Sequence, residues 1–100
     1  MDTKKLCAVI KKYRKRLGRD VLMNRYNGRV CIMGACMLEH GIHPSRIKGW
    51  INPHEVMDPE ELADFRKAYD LAPTEEAALI SANDIPAGTI YDNLNDALSC

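Results

Sequence analysis

The chain is poor in large aromatic residues, with one Phe and one Trp among 100 positions. Leu, Ile, Met, Ala and Tyr must therefore fill whatever core it builds. Long apolar runs are absent too. The longest uncharged one, Val30 to Leu38, falls well short of the roughly 18–20 residues a membrane span needs, so no membrane is expected as partner. Behind the lysine-rich start there is no apolar stretch with a small-residue cleavage site, so no secretory signal is expected. No Cys-x-x-Cys pair occurs, and Cys7, Cys31, Cys36 and Cys100 show no disulfide-framework spacing. They sit among apolar residues, which predicts reduced thiols and a cytoplasmic, host-cell location. The composition, 46% apolar and 28% charged, excludes a disordered chain. One hundred residues make a single domain, 1–100.

Net charge is also absent, 14 Lys/Arg standing against 14 Asp/Glu. What is present is a sorting of that charge. Residues 1–30 hold ten Lys/Arg against Asp2 and Asp20, a balance of +8, whereas residues 51–100 hold eleven Asp/Glu against Arg66 and Lys67, a balance of −9. Such asymmetry bears on partners and association rates rather than on fold.

Helical periodicity accounts for most of the chain. Leu6, Val9, Ile10, Tyr13 and Leu17 make one stripe of a helix running from Asp2 or Thr3 to Leu17, with Lys4, Lys5, Lys11, Lys12, Lys15, Arg16 and Arg19 opposite. Residues 19–29 read as an irregular link, the alternative being a short hairpin from Val21 to Ile32 through Asn27-Gly28. Val30 to His40 reads as a helix apolar on every side, hence central, stopped by Gly41. Gly34 and Ala35 would let a neighbouring backbone come close. A long connection, 42–57, precedes the helix start Asp58-Pro59-Glu60-Glu61. A helix from Thr74 to near Asn83 and a last one from Thr89 complete an all-α bundle of about five helices.

The charged faces have two readings each. The basic face of the first helix either binds phosphates or an acidic protein surface, or is simply solvated. The acids Asp58, Glu60, Glu61, Asp64, Glu75 and Glu76 suit the first turns of helices whatever the function. Asp84, Asp92 and Asp96 are left over, and could form an anionic patch that docks on a basic groove. The last two helices have helix-turn-helix spacing, but Asp92 and Asp96 and the absence of Lys or Arg exclude a DNA reader there. In the connection, Arg46, Lys48 and Trp50 lie together with little core pattern. They are either binding anchors or, in the case of Trp50, a pin for the loop.

Covalent and metal chemistry has thin support. Cys36 and His40 share a helix face at metal-ligand spacing, with His43 and His54 nearby, but Cys31 points elsewhere and no fourth ligand is supplied. Cys31, in the first turn of a helix, could be an activated thiol, yet no motif links it to a histidine base. Asp92-Asn93-Leu94-Asn95-Asp96 lacks the glycine and glutamate of a calcium loop. No metal and no cofactor are expected.

Cys31-Ile-Met-Gly-Ala-Cys-Met-Leu38, and Glu75-Glu-Ala-Ala-Leu-Ile-Ser-Ala-Asn-Asp84 followed by Ile90-Tyr-Asp-Asn-Leu94, resemble small all-α domains of unknown function carried by phages and mobile elements. Those domains combine a Cys-x-x-Gly-Ala helix with a later Asn-Asp. The size, the split charge and the lack of a catalytic motif also resemble phage-encoded anti-CRISPR proteins of the type I class. That resemblance implies a non-enzymatic inhibitor that binds the host's RNA-guided surveillance complex and keeps target DNA off it. No catalytic residue is carried over. The contact residues expected are Lys11, Lys15, Arg19, Arg46, Lys48 and Trp50 on a basic side and Asp92 and Asp96 on an acidic side. A nucleic-acid-binding accessory protein using the first helix is the alternative, and a small zinc or cysteine-dependent protein stands behind it. Opposed charges would also permit a homodimer.

Overall fold

Asp2 starts the first helix, α1 (Thr3–Lys12), by accepting the Lys5 N–H on its carboxylate at 3.1 Å, which satisfies one of the orphan donors of a helix start. Leu6, Val9 and Ile10 bury its inner face. The computed structural model, which describes residues 1–100, ends this helix earlier than its periodicity predicts. Arg14–Arg16 tighten into a 3-10 turn and Leu17 is extended. The cause is a long-range backbone pairing at that point: Val30 N–H donates to the Arg16 carbonyl at 2.9 Å and Gly18 N–H to the Val30 carbonyl at 2.8 Å.

Seven α-helices form in place of about five. After α1 come α2 (Ile32–Glu39), α3 (Pro44–Ile47), α4 (Pro53–Val56), α5 (Pro59–Tyr69), α6 (Pro73–Asn83) and α7 (Ile90–Leu98). The two additional ones, α3 and α4, are four-residue turns inside the long connection. Prolines open both, since a missing N–H costs nothing in a first turn. There is no strand. Isolated bridges join Leu17 to Val30, Met23 to Val30 and Met23 to Lys48, so residues 19–29 stay an irregular link and the Val21–Ile32 hairpin does not form.

Helix α2 begins one or two residues later than its apolar run. Cys31 is its N-cap, not part of its first turn, and the thiol accepts the Gly34 N–H at 3.5 Å. Every residue from Ile32 to Met37 is buried. At Gly34 the Leu22 carbonyl lies where a side chain would stand, so this glycine is required by close packing. At the other end Gly41 turns left-handed (φ +94°). Gly41 and Ile42 N–H groups then return to the Leu38 and Met37 carbonyls, a Schellman closure. Against α2 pack α1 and α6, and α7 packs on both α1 and α6. Phe65 and Tyr69 of α5 are the largest side chains sealed inside.

One sequence expectation fails outright. Cys7 and Cys100 are joined as a disulfide, with 5.9 Å between their Cα atoms, so only Cys31 and Cys36 are free thiols. The partners stand 93 positions apart, and only the packing of α7 on α1 brings them together. The cytoplasmic location drawn from reduced cysteines loses that support. No helix is long and apolar enough to cross a membrane.

Candidate functional site

Arg14, Lys15, Arg16 and Arg29 are brought together where the first helix ends. The 3-10 turn carries Arg14, Lys15 and Arg16, and the Leu17–Val30 pairing sets it beside the turn Asn24–Arg29. The Arg16 guanidinium donates to the Gly28 carbonyl at 3.1 Å, and Arg29 donates to the Leu17 carbonyl at 3.2 Å. Arg14 stacks over the Tyr91 ring at 4.2 Å. Each guanidinium keeps donors free, because a carbonyl takes only one or two of its five N–H groups. Ion pairs in the chain use Lys12, Arg46 and Arg66 among the Lys/Arg side chains. Lys11, Arg14, Lys15, Arg16, Arg25 and Arg29 have no acidic partner within salt-bridge distance, and all six are exposed.

The residues singled out from sequence meet different fates. Lys11 and Lys15 are exposed as expected. Arg19 is a staple: half-buried, it donates to the Ile85 carbonyl at 3.0 Å and the Gly88 carbonyl at 3.2 Å, tying the basic segment to the α6–α7 loop. Arg46 is likewise engaged internally. It grips Glu61 with two hydrogen bonds, at 2.9 and 2.7 Å, and donates to the Val56 carbonyl at 3.1 Å, bracing the long connection against α5. That grip holds the Glu61 carboxyl below the usual carboxylate range. Lys48 is exposed beside Met23, and Trp50 is 47% exposed. Asp92 and Asp96 are exposed, one turn apart on α7.

One acid of the last helix meets the basic segment. A cleft of about 400 Å³ is lined by Arg14, Lys15 and Arg19 together with Thr89, Tyr91 and Asp92, because α7 folds back on α1. The acidic half is also partly consumed by structure. Asp58, Glu61 and Glu75 cap helix starts, and Glu76 is buried against Arg66.

Thiol and metal chemistry find no geometry. Cys31 is 4% exposed, and burial pushes its thiol up to about 11, opposite to the lowering that a nucleophile needs. Cys36 is fully buried and is pushed up further, again by burial first. His40 is turned edge-on to Phe65 with ring centroids 5.6 Å apart. No group of three His, Cys, Asp or Glu side chains is placed to hold a metal ion.

Two features were not read from sequence. Asn83 is completely buried, and it accepts the Ile32 N–H at 3.0 Å and donates to the Gly18 carbonyl at 2.9 Å and to Asp84 at 3.1 Å. Asp84 in turn accepts the Asp20 N–H at 3.1 Å. The Asn-Asp pair therefore fastens α6 to the start of α2, and its juxtaposition with the Cys-x-x-Gly-Ala helix is a packing device. Tyr26, at the tip of the Asn24–Arg29 turn, is 91% exposed. Asn27-Gly28 signalled the turn, but nothing signalled that a ring would stand on it.

No family model, curated protein or solved structure matches this chain. The residues themselves carry the functional argument.

Proposed function

We propose that this chain is a non-enzymatic interaction protein of a phage or mobile element that inhibits a host RNA-guided surveillance complex. It docks by its exposed cations on an anionic surface of that complex and keeps target DNA away by steric occlusion. The observation that supports this reading is the cluster Lys11, Arg14, Lys15, Arg16, Arg25 and Arg29, exposed and without acidic partners. A folded protein that leaves six exposed cations unneutralised raises its encounter rate with a large anionic partner. Both free thiols are sealed in the core, which leaves them no role at that surface.

The contact residues we assign are Lys11 and Lys15, with Lys48 and Trp50 at the neighbouring loop. Arg19 and Arg46 support the surface through their carbonyl and carboxylate contacts. Asp92 borders the cationic cleft and sets the orientation of docking, and Asp96 extends that border along α7. The test is a competition. Purified protein is titrated into the RNA-guided complex with labelled target duplex, and duplex binding is followed. Lys11→Glu with Lys15→Glu should abolish inhibition, and Lys67→Glu, on α5, should not. Unchanged inhibition by the double variant refutes the reading.

The same exposed lysines favour a second reading, an accessory protein that binds nucleic acid directly along α1. It requires affinity for free duplex DNA that falls steeply with salt. The inhibitor reading requires free duplex to be ignored.

A further inference from the structure

The loop pair Val21–Arg29 and Ile47–Ile51 carries a second feature, independent of the identity of the host complex. These segments run side by side: Leu22 N–H donates to the Trp50 carbonyl at 2.8 Å, Gly49 N–H donates to the Met23 carbonyl at 2.9 Å, and Met23 bridges Lys48. Arg25 lies flat across Gly49, its guanidinium 2.5 Å from where a Cβ would stand. Gly49 has φ +84°, a backbone conformation that favours glycine.

Tyr26, 91% exposed, follows Arg25 in the chain, and Trp50 and Ile51, 47% and 56% exposed, follow Gly49, so the contact of Arg25 with Gly49 brings the two exposed stretches of backbone together. The Tyr26 turn is held tightly. The Asn24 side chain accepts the N–H groups of Tyr26 (2.8 Å) and Asn27 (3.1 Å), the Asn27 side chain accepts that of Arg29 (2.9 Å), and Asn24 N–H donates to the Arg29 carbonyl (2.8 Å). A ring on a braced turn loses little freedom when it binds. No acidic residue occurs from Val21 to Leu38 or from His40 to His54. The cations of these segments are Arg25, Arg29 and Lys48, all exposed and without acidic partners.

We infer that this surface is a binding platform for single-stranded nucleic acid. Exposed rings stack on unpaired bases, and Arg25, Arg29 and Lys48 meet the phosphates between them. Two exposed rings in segments that carry unpaired cations and no acid match a strand of bases and phosphates: the rings offer stacking faces and the cations complement the phosphates. A duplex keeps its bases inside and offers the rings nothing to stack on.

Trp50 is the only tryptophan, so its emission reports contact directly. The probes are a uridine 12-mer, a thymidine 12-mer and a mixed-sequence duplex of equal length, followed by Trp50 quenching and by fluorescence anisotropy at low and moderate salt. The expected result is quenching by both single strands, weaker binding at higher salt, and much weaker duplex binding. Tyr26→Ala and Trp50→Ala should each weaken the single-strand complex by about 5- to 150-fold, and Lys67→Ala should leave it unchanged. Both truncations are at exposed rings, and circular dichroism checks that each variant folds. The proposal is overturned by absence of binding, by equal affinity for duplex and single strands, or by tight binding that neither truncation alters. Failure here leaves the inhibition competition intact, because that assay reads the cations of α1 and the 3-10 turn.

Discussion

Asn83→Ala removes the one polar side chain that ties three backbone segments together in the interior. Its oxygen is the partner of the Ile32 N–H, the first of the helix α2 donors, and its amide serves the Gly18 carbonyl. Ile32 is fully buried, so its N–H finds no water in compensation. An orphaned buried donor costs about 1–3 kcal/mol, and the lost bond to the half-buried Gly18 about 0.5–1.5 kcal/mol more. The sum, about 1.5–4.5 kcal/mol, is a large part of the roughly 5–15 kcal/mol that holds a domain together. For a chain of 100 residues the midpoint of thermal unfolding should fall by about 10–30 °C.

The assay is thermal and urea unfolding by circular dichroism, with Ser81→Ala on the exposed side of α6 as control. Asn83→Asp sharpens the test. It keeps the acceptor for Ile32 but sets a carboxyl beside Asp84, whose oxygen is 3.1 Å from the Asn83 amide. Burial and the like charge raise the folded-state pKa of the introduced acid. The variant should therefore be most stable below the ordinary carboxylate pKa and lose stability as pH rises from there through the raised folded-state value. A destabilisation by Asn83→Ala of less than about 0.5 kcal/mol, within the range of an ordinary surface substitution, would refute the assignment of this motif to structure.

Gly34→Ala should destabilise by at least about 1–3 kcal/mol by overpacking, since the new methyl meets the Leu22 carbonyl; chemical denaturation checks this, and a gain from better helix propensity would contradict it. Reduction of Cys7–Cys100, which closes a loop of 93 residues, should lower stability by up to about 4–5 kcal/mol in the chain-entropy model, read as a drop in midpoint with the helical signal at room temperature retained. Under non-reducing conditions two thiols, Cys31 and Cys36, should react with an alkylating agent only after denaturation; fast labelling of the folded chain would contradict their burial. Glu61, held below the usual carboxylate range first by Arg46, contributes stability that is present above the unfolded pKa and lost as acid protonates it, so Glu61→Gln should flatten the loss seen on acidification from about pH 5 to pH 3.

The helices were legible wherever a start signal and an apolar stripe coincided. Asp58-Pro59-Glu60-Glu61 gives the capped start of α5, with Leu62, Phe65 and Tyr69 inward, and Gly41 ends α2 as its position suggests. The ends of α1 and the beginning of α2 were less legible, for one reason. Both are set by pairing between residues 16–18 and Val30, a contact across a dozen positions that local periodicity does not register. The disulfide is the extreme of the same effect, since cysteines among apolar residues look alike whether they pair or stay free.

Charge was legible as quantity and not as placement. Ten cations in the first thirty positions announce a basic segment, but the fold decides which remain available. Arg19 and Arg46 are taken up by carbonyls and a carboxylate of the chain itself, while Arg25, which had no pattern to recommend it, lies across Gly49 and precedes the most exposed ring in the chain. An arginine with its plane satisfied by backbone carbonyls acts as a cross-link, and it still contributes its charge to the field outside. Substitution of Arg19 should therefore disturb both stability and association, whereas substitution of Lys15, which holds nothing in place through its side chain, should disturb association alone. Comparing those two residues by unfolding midpoint and by partner affinity separates the structural share of the basic segment from the functional share.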